Sequence, residues 1–337
     1  MTHNILLTGA SGYLAKHLLV ALLNSGHRVR GTVRSEAKAA ALRETMAQVA
    51  GDGVERLDLV VLDLAQDAGW GAAAEGMDVL MHTASPFPMV QPKDAEEVIR
   101  PAVDGTLRAM KAAKAAGIER VILTSSTVAI MGCDLPEGRS AYDEQDWTDP
   151  DREGVSPYAQ SKTLAERAAW AFAEENGIAL TTVNPGFILG APLDKDYGTS
   201  IAVIERILRS KDPALPRLSF NSVDVQDIVA LHLAALERPE TTGQRLMGAG
   251  RALWFTEIAE AVQAALPHRK VTTRQAPGWL LRLIALFDPA VRGILPDIGK
   301  RQATHPARAE ALLGQPLKDP REAVKETAAW LDRNGVV

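Results

Sequence analysis

Short apolar runs alternate with longer helical patterns through the first half of the chain. Several of these runs contain almost no polar residue, as expected for strands that are covered on both faces of a sheet. Strands are predicted at 3–8, 28–33, 57–62, 78–82, 120–124 and 178–183. Helices are predicted at 12–25, 36–49, 93–116 and 157–176.

This alternation predicts an α/β fold with a Rossmann-like, doubly wound parallel sheet. Residues 1–186 form its first predicted domain. The regular alternation fades after Pro185 and Gly186, and the remainder is mostly helical, with short strands expected near 218–223 and 245–247. Residues 187–337 are therefore predicted to form a smaller, mostly helical substrate lobe, with some segments returning to the first domain. We expect this lobe over the carboxyl edge of the sheet, where open α/β sheets bind ligands.

Composition and charge exclude several classes of protein. The chain has 337 residues, of which 46% are hydrophobic, so it can bury a sizeable core. A net charge of −5 without any run of Lys and Arg argues against a nucleic-acid or membrane partner. The single cysteine, Cys133, indicates a reducing compartment, and no signal peptide or membrane-spanning run is found. We expect a cytoplasmic protein. The seven histidines lack metal-ligand spacing, so no metal is predicted.

The segment TGASGYLA, residues 8–15, lies between the first predicted strand and the first predicted helix. Gly9 and Gly12 have no Cβ and let backbone N–H groups approach a pyrophosphate, to which the helix N-terminus adds partial positive charge. Ala15 occupies the third small position, where alanine is accepted. A tight turn without a ligand is the alternative interpretation. The predicted cofactor contacts of this turn are Thr8, Gly9, Ser11, Gly12, Tyr13 and Leu14.

The end of the second strand predicts which cofactor is used. NAD-specific sites usually place Asp or Glu here, whereas this chain reads Thr32-Val33-Arg34. Arg34 offers a permanently charged fork suited to a 2′-phosphate, and Lys38 lies one helical turn further on. The sequence thus predicts NADPH or NADP, although both side chains are also compatible with an ordinary solvated surface. Two residues that end the third strand are placed to meet the adenine, namely Asp63 and Leu64.

Tyr158 and Lys162 form a Tyr-x-x-x-Lys pair on one face of a predicted helix. A free tyrosine has a pKa of about 10 and donates protons poorly at neutral pH. A nearby ammonium stabilises the phenolate and lowers this pKa, which makes the phenol a better general acid. The pair is common by chance, and an exposed amphipathic pair is the usual explanation.

Three neighbouring features make the pair specific. The pair follows the fifth predicted strand in the order expected of a Rossmann-like chain. The fifth strand ends in Thr124-Ser125-Ser126, where a hydroxyl lies at the carboxyl edge of the sheet and can hydrogen-bond a substrate carbonyl. The sixth strand is followed by Pro185 and Gly186, a compact turn that can face a nicotinamide. The order of these elements along the chain predicts one reductive site.

Across roughly residues 4–240, the chain resembles the extended short-chain dehydrogenases/reductases. Within them it is most similar to the branch of dihydroflavonol 4-reductases, cinnamoyl-CoA reductases and microbial aldehyde/ketone reductases. The resemblance rests on ordered motifs: TGASGYLA (8–15), GTVRS (31–35), HTASPF (82–87), RPAVDGTLRAMKAA (100–113), VILTSS (121–126), YAQSK (158–162), NPGFILG (184–190) and VDVQDIVALH (223–232).

The resemblance implies a role for each matching residue. Ser126 orients the carbonyl oxygen, with Ser125 as the less favoured candidate, and Tyr158 protonates that oxygen. Lys162 lowers the tyrosine pKa and binds the nicotinamide ribose, while NADPH delivers hydride to a small-molecule aldehyde or ketone. Further cofactor contacts are expected at Thr83, Ala84, Ser85, Thr124, Pro185 and Gly186. Candidate substrate-pocket residues are Phe87, Met131, Phe187 and Tyr197.

Two other functions stay open at this point. A nucleotide-sugar epimerase or dehydratase has the same fold, but Thr127 and Val128 stand where a dehydratase is expected to carry acidic residues, and Arg34 argues against the NAD of epimerases. A non-catalytic NADP-sensing regulator tends to lose the catalytic tyrosine, which this chain keeps. A monomer or a homodimer is expected.

Overall fold

The structure is a computed structural model that describes residues 2–85 and 94–337. Its centre is a seven-stranded sheet in which every neighbouring pair of strands is parallel. Strands are numbered in chain order, and the spatial order of the sheet is β10-β7-β5-β4-β1-β2-β3. The seven strands are β1 (Asn4–Thr8), β2 (Arg28–Val33), β3 (Leu57–Val61), β4 (Val79–His82), β5 (Arg120–Thr124), β7 (Ala179–Pro185) and β10 (Arg245–Gly248).

Helices cover both faces of this sheet. Alternate residues of β1 enter opposite cores: Ile5 and Leu7 lie in one and Leu6 in the other. The helices on the first face include α1 (Tyr13–Asn24), α2 (Glu36–Val49), α7 (Val225–Glu237) and α11 (Ala307–Leu313). Those on the second face include α3 (Trp70–Ala74), α4 (Glu96–Ala115) and α5 (Pro157–Asn176). This double covering explains why the strands are apolar almost throughout.

The second lobe has its own core around a three-stranded sheet of order β11-β9-β8. The strands are β8 (Phe187–Leu189), β9 (Ser219–Asp224) and β11 (Ala252–Trp254). The lobe also holds α6 (Thr199–Leu208), α8 (Phe255–Ala265), α9 (Gly278–Ile284), α10 (Pro289–Ile294) and α12 (Pro320–Arg333). A short parallel pair, β6 (Ala141–Tyr142) and β12 (Ala303–Thr304), joins the lobe to the loop that precedes α5.

The fold class predicted from the sequence is confirmed. The six predicted strands are all present in the parallel sheet, and the predicted strand near 245–247 supplies a seventh as β10. The order of the sheet changes direction between β1 and β4, and such switch points leave a crevice outside the carboxyl ends of the strands. Across residues 2–85 and 94–337, no helix is both long and apolar enough to span a membrane.

Candidate active site

A cleft of about 260 Å³ lies at the carboxyl ends of β1, β4 and β5. It brings together the glycine-rich turn, the end of β5, the start of α5 and the Pro185-Gly186 turn, which are far apart in the sequence. The residues that line it are Gly9, Gly12, Tyr13, Leu14, Ala15, Thr83, Ser85, Thr124, Ser125, Ser126, Tyr158, Lys162, Pro185, Gly186 and Ile188.

The turn between β1 and α1 has the shape of a cradle for a phosphate group. Gly9 has a φ of +67°, which favours glycine, and a Cβ there would lie 3.0 Å from the Cα of Ala84. A Cβ on Gly12 would lie 3.2 Å from the carbonyl oxygen of Gly9. Gly12 also precedes the first helical residue, Tyr13, without a capping side chain and without an acid in the first turn. The first N–H groups of a helix have no partner within it, so this turn fits an anionic ligand.

Thr8 supports the turn from behind, because it is fully buried and does not line the cleft. Its Oγ1 accepts hydrogen bonds from the N–H groups of Thr83 and Ala84, both at 3.1 Å, and so donates its own proton to Nδ1 of His82 at 2.8 Å. Burial and the charge of Lys162 lower the pKa of His82 to about 3, so its ring is neutral. Nε2 of His82 is buried without a hydrogen-bond partner among the described residues.

The residues predicted to select the cofactor lie beyond the cleft, past the end of β2. Arg34 is exposed there, and Ser35 caps α2 by accepting from the N–H of Lys38 at 3.3 Å. The Lys38 ammonium forms an ion pair of 2.6 Å with Asp196, on the loop after β8. Asp196 is an acidic neighbour that the sequence analysis missed, since it lies 158 residues away along the chain.

The remaining predicted cofactor residues also lie outside the lining of the cleft. Ser11 is half-buried in the glycine-rich turn. Oδ1 of Asp63 accepts from the N–H of Ala65 at 2.9 Å. Leu64 packs on α4 so closely that a Cβ on Gly105 would lie 2.6 Å from its Cγ. Leu64 therefore has a packing role besides its predicted contact with the adenine.

The two serines at the end of β5 face different partners. Ser125 Oγ donates to the buried carboxylate of Glu166 at 2.5 Å. Ser126 Oγ accepts from the N–H of Val128 at 3.3 Å, and its hydroxyl interacts with that of Tyr158, whose pKa it lowers. The hydroxyl of Ser126 is therefore the one that meets the tyrosine, whereas that of Ser125 is held by a carboxylate.

Tyr158 and Lys162 both lie on the first turns of α5. This helix begins at Pro157, and Ser156 caps it by accepting from the N–H of Ala159 at 3.2 Å. Burial lowers the pKa of Lys162 to about 8, against an opposing effect of the Glu166 charge.

The tyrosine differs from the expectation in one respect. The pKa of Tyr158 was expected to be lowered, but burial raises it to about 12 and outweighs the lowering by its interaction with Ser126. Tyr158 is accordingly a neutral phenol at physiological pH, which is the protonated state that a general acid needs.

Thr124 also lines the cleft, and a buried histidine fixes its hydroxyl. Burial lowers the pKa of His232 to about 4, so the ring is neutral. Nδ1 of His232 donates to the carbonyl oxygen of Ile228 at 2.8 Å, which leaves Nε2 to accept from Thr124 Oγ1 at 2.8 Å. His232 therefore holds a side chain of the cleft in place from behind.

The three predicted substrate-pocket residues that the structure describes do not line the cleft. Phe187 stacks on Phe220 in the lobe core with ring centroids 4.8 Å apart, and its neighbour Ile188 lines the cleft instead. The hydroxyl of Tyr197 donates to Glu205 at 2.9 Å. Met131 is buried in a small cluster with Ile130, Tyr142, Met247 and Ala249. Phe87 lies outside the described residues.

The sequence analysis missed a buried ion pair beneath the cleft, formed by Glu166 and Arg245. The spacing 158, 162, 166 places Glu166 on the same face of α5 as the predicted catalytic pair, which was an available signal. Arg245 lies on β10, 79 residues away, and no local pattern connects the two. Within the described ranges, no group of three or more His, Cys, Asp or Glu side chains is arranged to hold a metal ion.

The sheet order and the glycine-rich turn at its switch point define a Rossmann-like α/β protein. A model of the NAD dependent epimerase/dehydratase family matches residues 5–247, well over half of the chain. The protein belongs to this family.

Comparison with known proteins finds reductases. A tetraketide alpha-pyrone reductase from Arabidopsis thaliana is 32% identical over 271 residues, which cover 78% of this chain and 83% of the relative. A cinnamoyl-CoA reductase from Medicago truncatula is 33% identical over 277 residues, which cover 81% of this chain and 83% of the relative. The crystal structure of yeast methylglyoxal/isovaleraldehyde reductase complexed with NADPH is similar with a TM-score of 0.81 at 25% identity, covering 99% of this chain and 100% of that one. These findings confirm the branch of the family predicted from the sequence.

Proposed function

We propose that the protein is an NADPH-dependent reductase that converts an aldehyde or ketone to an alcohol, with Tyr158 as the proton donor. One observation carries the proposal: the hydroxyls of Ser126 and Tyr158 interact in the cleft that also contains Lys162 and the glycine-rich turn. The names of the relatives support the same reaction, because they are reductases of carbonyl compounds.

The residues present fit a dinucleotide with a 2′-phosphate. Gly9, Gly12 and the N-terminus of α1 provide the cradle for the pyrophosphate, since a Cβ at either glycine would close it. Arg34 and Lys38, past the end of β2, supply positive charge for the 2′-phosphate. When bound, NADPH supplies the hydride for the carbonyl carbon.

The protein's own groups act on the carbonyl oxygen. Ser126 and Tyr158 donate hydrogen bonds to it, which polarises the carbonyl and holds it in one orientation. Tyr158 then gives up its proton as negative charge develops on that oxygen, and the Lys162 ammonium stabilises the phenolate left behind. The raised pKa of Tyr158 keeps the phenol protonated until this step.

The test follows NADPH oxidation against a panel of aldehydes, ketones and ketoesters, with NADH in parallel. We expect Tyr158→Phe to lower kcat by about 10²- to 10⁴-fold, the usual contribution of a general acid. Tyr142→Phe is the matched control, because its hydroxyl donates to the carbonyl of Cys133 outside the cleft, and it should keep most of the rate. Tight binding of NADPH without turnover on the whole panel would contradict the proposal and favour a non-catalytic sensor.

The proposal extends to location and assembly. A single cysteine suits the reducing cytoplasm. A monomer or a homodimer stays a prediction, and analytical ultracentrifugation of the purified chain distinguishes the two.

A further inference from the structure

We propose that Glu166 and Arg245 are positioning residues for the reduction: their buried ion pair fixes the Ser125-Ser126 segment and the loop carrying Trp147 against α5. This inference rests on the proposed function, since it assigns the pair to the same cleft. Neither residue lines the cleft, so both act through the groups that they hold.

The Glu166 carboxylate accepts hydrogen bonds from four parts of the fold: the turn after β5, β7, β10 and α5 itself. Its side chain is completely buried, one helical turn after Lys162 and two turns after Tyr158. The donors to its carboxylate are Ser125 Oγ (2.5 Å), Asn184 Nδ2 (2.7 Å), Arg245 Nε (2.7 Å), Thr182 Oγ1 (3.2 Å) and Trp170 Nε1 (3.3 Å). The amide of Asn184 also donates to the carbonyl oxygen of Ser126 at 3.2 Å. Both serines at the end of β5 are thus tied to this single carboxylate.

Arg245 extends this hydrogen-bond network to the loop before α5 and to the turn after β5. Its guanidinium donates to the carbonyl oxygens of Asp146 at 2.5 Å, Glu144 at 3.0 Å and Ala129 at 3.3 Å. It also lies 3.8 Å from the centre of the Trp147 ring. The N–H of Ala129 in turn donates to the carbonyl of Ser126 at 3.1 Å, in the 3₁₀ turn that Ser126 caps. One side chain therefore joins β10, the turn after β5 and the loop before α5.

A buried ion pair such as Glu166–Arg245 is not expected to add much to the free energy of unfolding. Removing two charges from water costs free energy that their attraction only partly repays, and apolar replacements are often neutral or stabilising. What the pair provides is a fixed geometry, because a fork of donors and a carboxylate with several lone pairs admit few arrangements.

The charge of Glu166 also acts on Lys162. The groups that face Lys162 are Glu166 on its own helix, Tyr158 one turn earlier and His82 on β4. His82 and Tyr158 are neutral at physiological pH, so Glu166 is the acid that opposes the effect of burial on the ammonium.

The experiment measures pH profiles of kcat/KM with NADPH for the full-length protein and its variants. In Glu166→Gln the pKa of Lys162 falls further, so the ammonium is lost at lower pH. The basic limb of the profile should therefore move to lower pH by about one pH unit. Arg245→Lys keeps Glu166 and the charge but loses the fork. It should lower kcat about 10- to 100-fold without moving that limb downward, with the NADPH dissociation constant changed less than about threefold.

Two further variants keep the test falsifiable. Glu166→Gln/Arg245→Met leaves no unpaired buried charge, so it should fold even if a single variant does not, and it should show both the lowered kcat and the shifted limb. Arg120→Met is the matched control. This half-buried arginine, at the amino end of β5, donates to the carbonyl of Ala179 at 2.7 Å and to Thr181 Oγ1 at 2.7 Å. It should lower the midpoint of thermal unfolding without changing the profile.

The outcomes separate the inference from the proposed function. A wild-type protein that reduces no carbonyl compound overturns both. An active wild type whose Glu166 and Arg245 variants lose thermal stability, as Arg120→Met does, but keep kcat and the basic limb overturns the inference alone. In that case the pair is a structural feature of the sheet.

Discussion

Arg34→Ala tests how the chain selects its nicotinamide cofactor. Arg34 is exposed just beyond β2, after Thr32 and Val33, so no acid at the end of that strand offsets its charge. A hydrogen bond assisted by charge contributes about 1.5–3 kcal/mol. Losing it should weaken NADPH binding about 10- to 150-fold. NADH has no 2′-phosphate, and its affinity should change less than about twofold.

Lys38→Ala should have a smaller effect. Its ammonium is paired with Asp196 at 2.6 Å, and the two side chains are 44% and 55% exposed. Solvent screens such a group, so its loss should cost about 0–1 kcal/mol, or up to about fivefold in NADPH affinity. Asp196→Asn is the opposite perturbation: it frees the ammonium and should strengthen NADPH binding by a similar factor.

The assay titrates each variant with NADPH and NADH and follows nicotinamide fluorescence at low and at moderate salt. The advantage of NADPH over NADH should shrink as salt increases, because the 2′-phosphate contact is electrostatic and exposed. If Arg34→Ala lowered the affinities for NADPH and NADH equally, or lowered neither, the assignment of Arg34 to the 2′-phosphate would be refuted.

Three further substitutions test the scaffold of the site. Gly9→Ala adds a Cβ at a φ of +67° and 3.0 Å from the Cα of Ala84. It should lower the free energy of unfolding in urea by about 1–2 kcal/mol and weaken NADPH binding in a titration. An unchanged free energy of unfolding and an unchanged NADPH affinity would contradict the role of this turn as a phosphate cradle. Gly186→Ala places a Cβ 2.0 Å from the carbonyl oxygen of Asn221, so the turn must shift and kcat/KM should fall at least about tenfold, whereas an unaffected rate would exclude a close packing role for this turn. His232 has a folded pKa of about 4, below its usual 6.5, so its contribution to stability is present above pH 6.5 and is lost as the pH falls toward 4. Between pH 4 and 6.5 the free energy of unfolding of His232→Gln should therefore change less with pH than that of the wild type, by up to about 1.4 kcal/mol per pH unit. If urea denaturation gave the same pH dependence for both proteins, a buried neutral ring would be contradicted.

Local sequence features were sufficient for most of the sheet and for the residues of the cleft. The strand–turn–helix signature at 8–15 depends on glycines whose backbone requirements are local. The pairing of Tyr158 with Lys162 depends only on the helical period, and Ser126 follows from being at the end of a strand. The order of parallel strands then brings these separate segments to one edge of the sheet.

Features that depend on contacts between distant segments could not be predicted in this way. The strand at 245–248 was expected, but its place at the edge of the main sheet beside β7 is set by tertiary packing. The same holds for the ion pairs of Lys38 with Asp196 and of Glu166 with Arg245, whose partners have no local signal. The pKa of Tyr158 differed because burial, which the spacing of residues does not reveal, outweighs the lowering effect of Ser126.

The most direct measurement uses NADPH that carries deuterium at the transferred position, with wild-type protein and Tyr158→Phe at equal, saturating cofactor. The wild type is expected to form an alcohol with one deuterium on the former carbonyl carbon. Tyr158→Phe should bind NADPH with nearly unchanged affinity while forming that product at least about a hundredfold more slowly. A variant that keeps more than a tenth of the wild-type rate would contradict the role of Tyr158 as proton donor, and a wild-type product without the deuterium would contradict hydride transfer from NADPH to the carbonyl carbon.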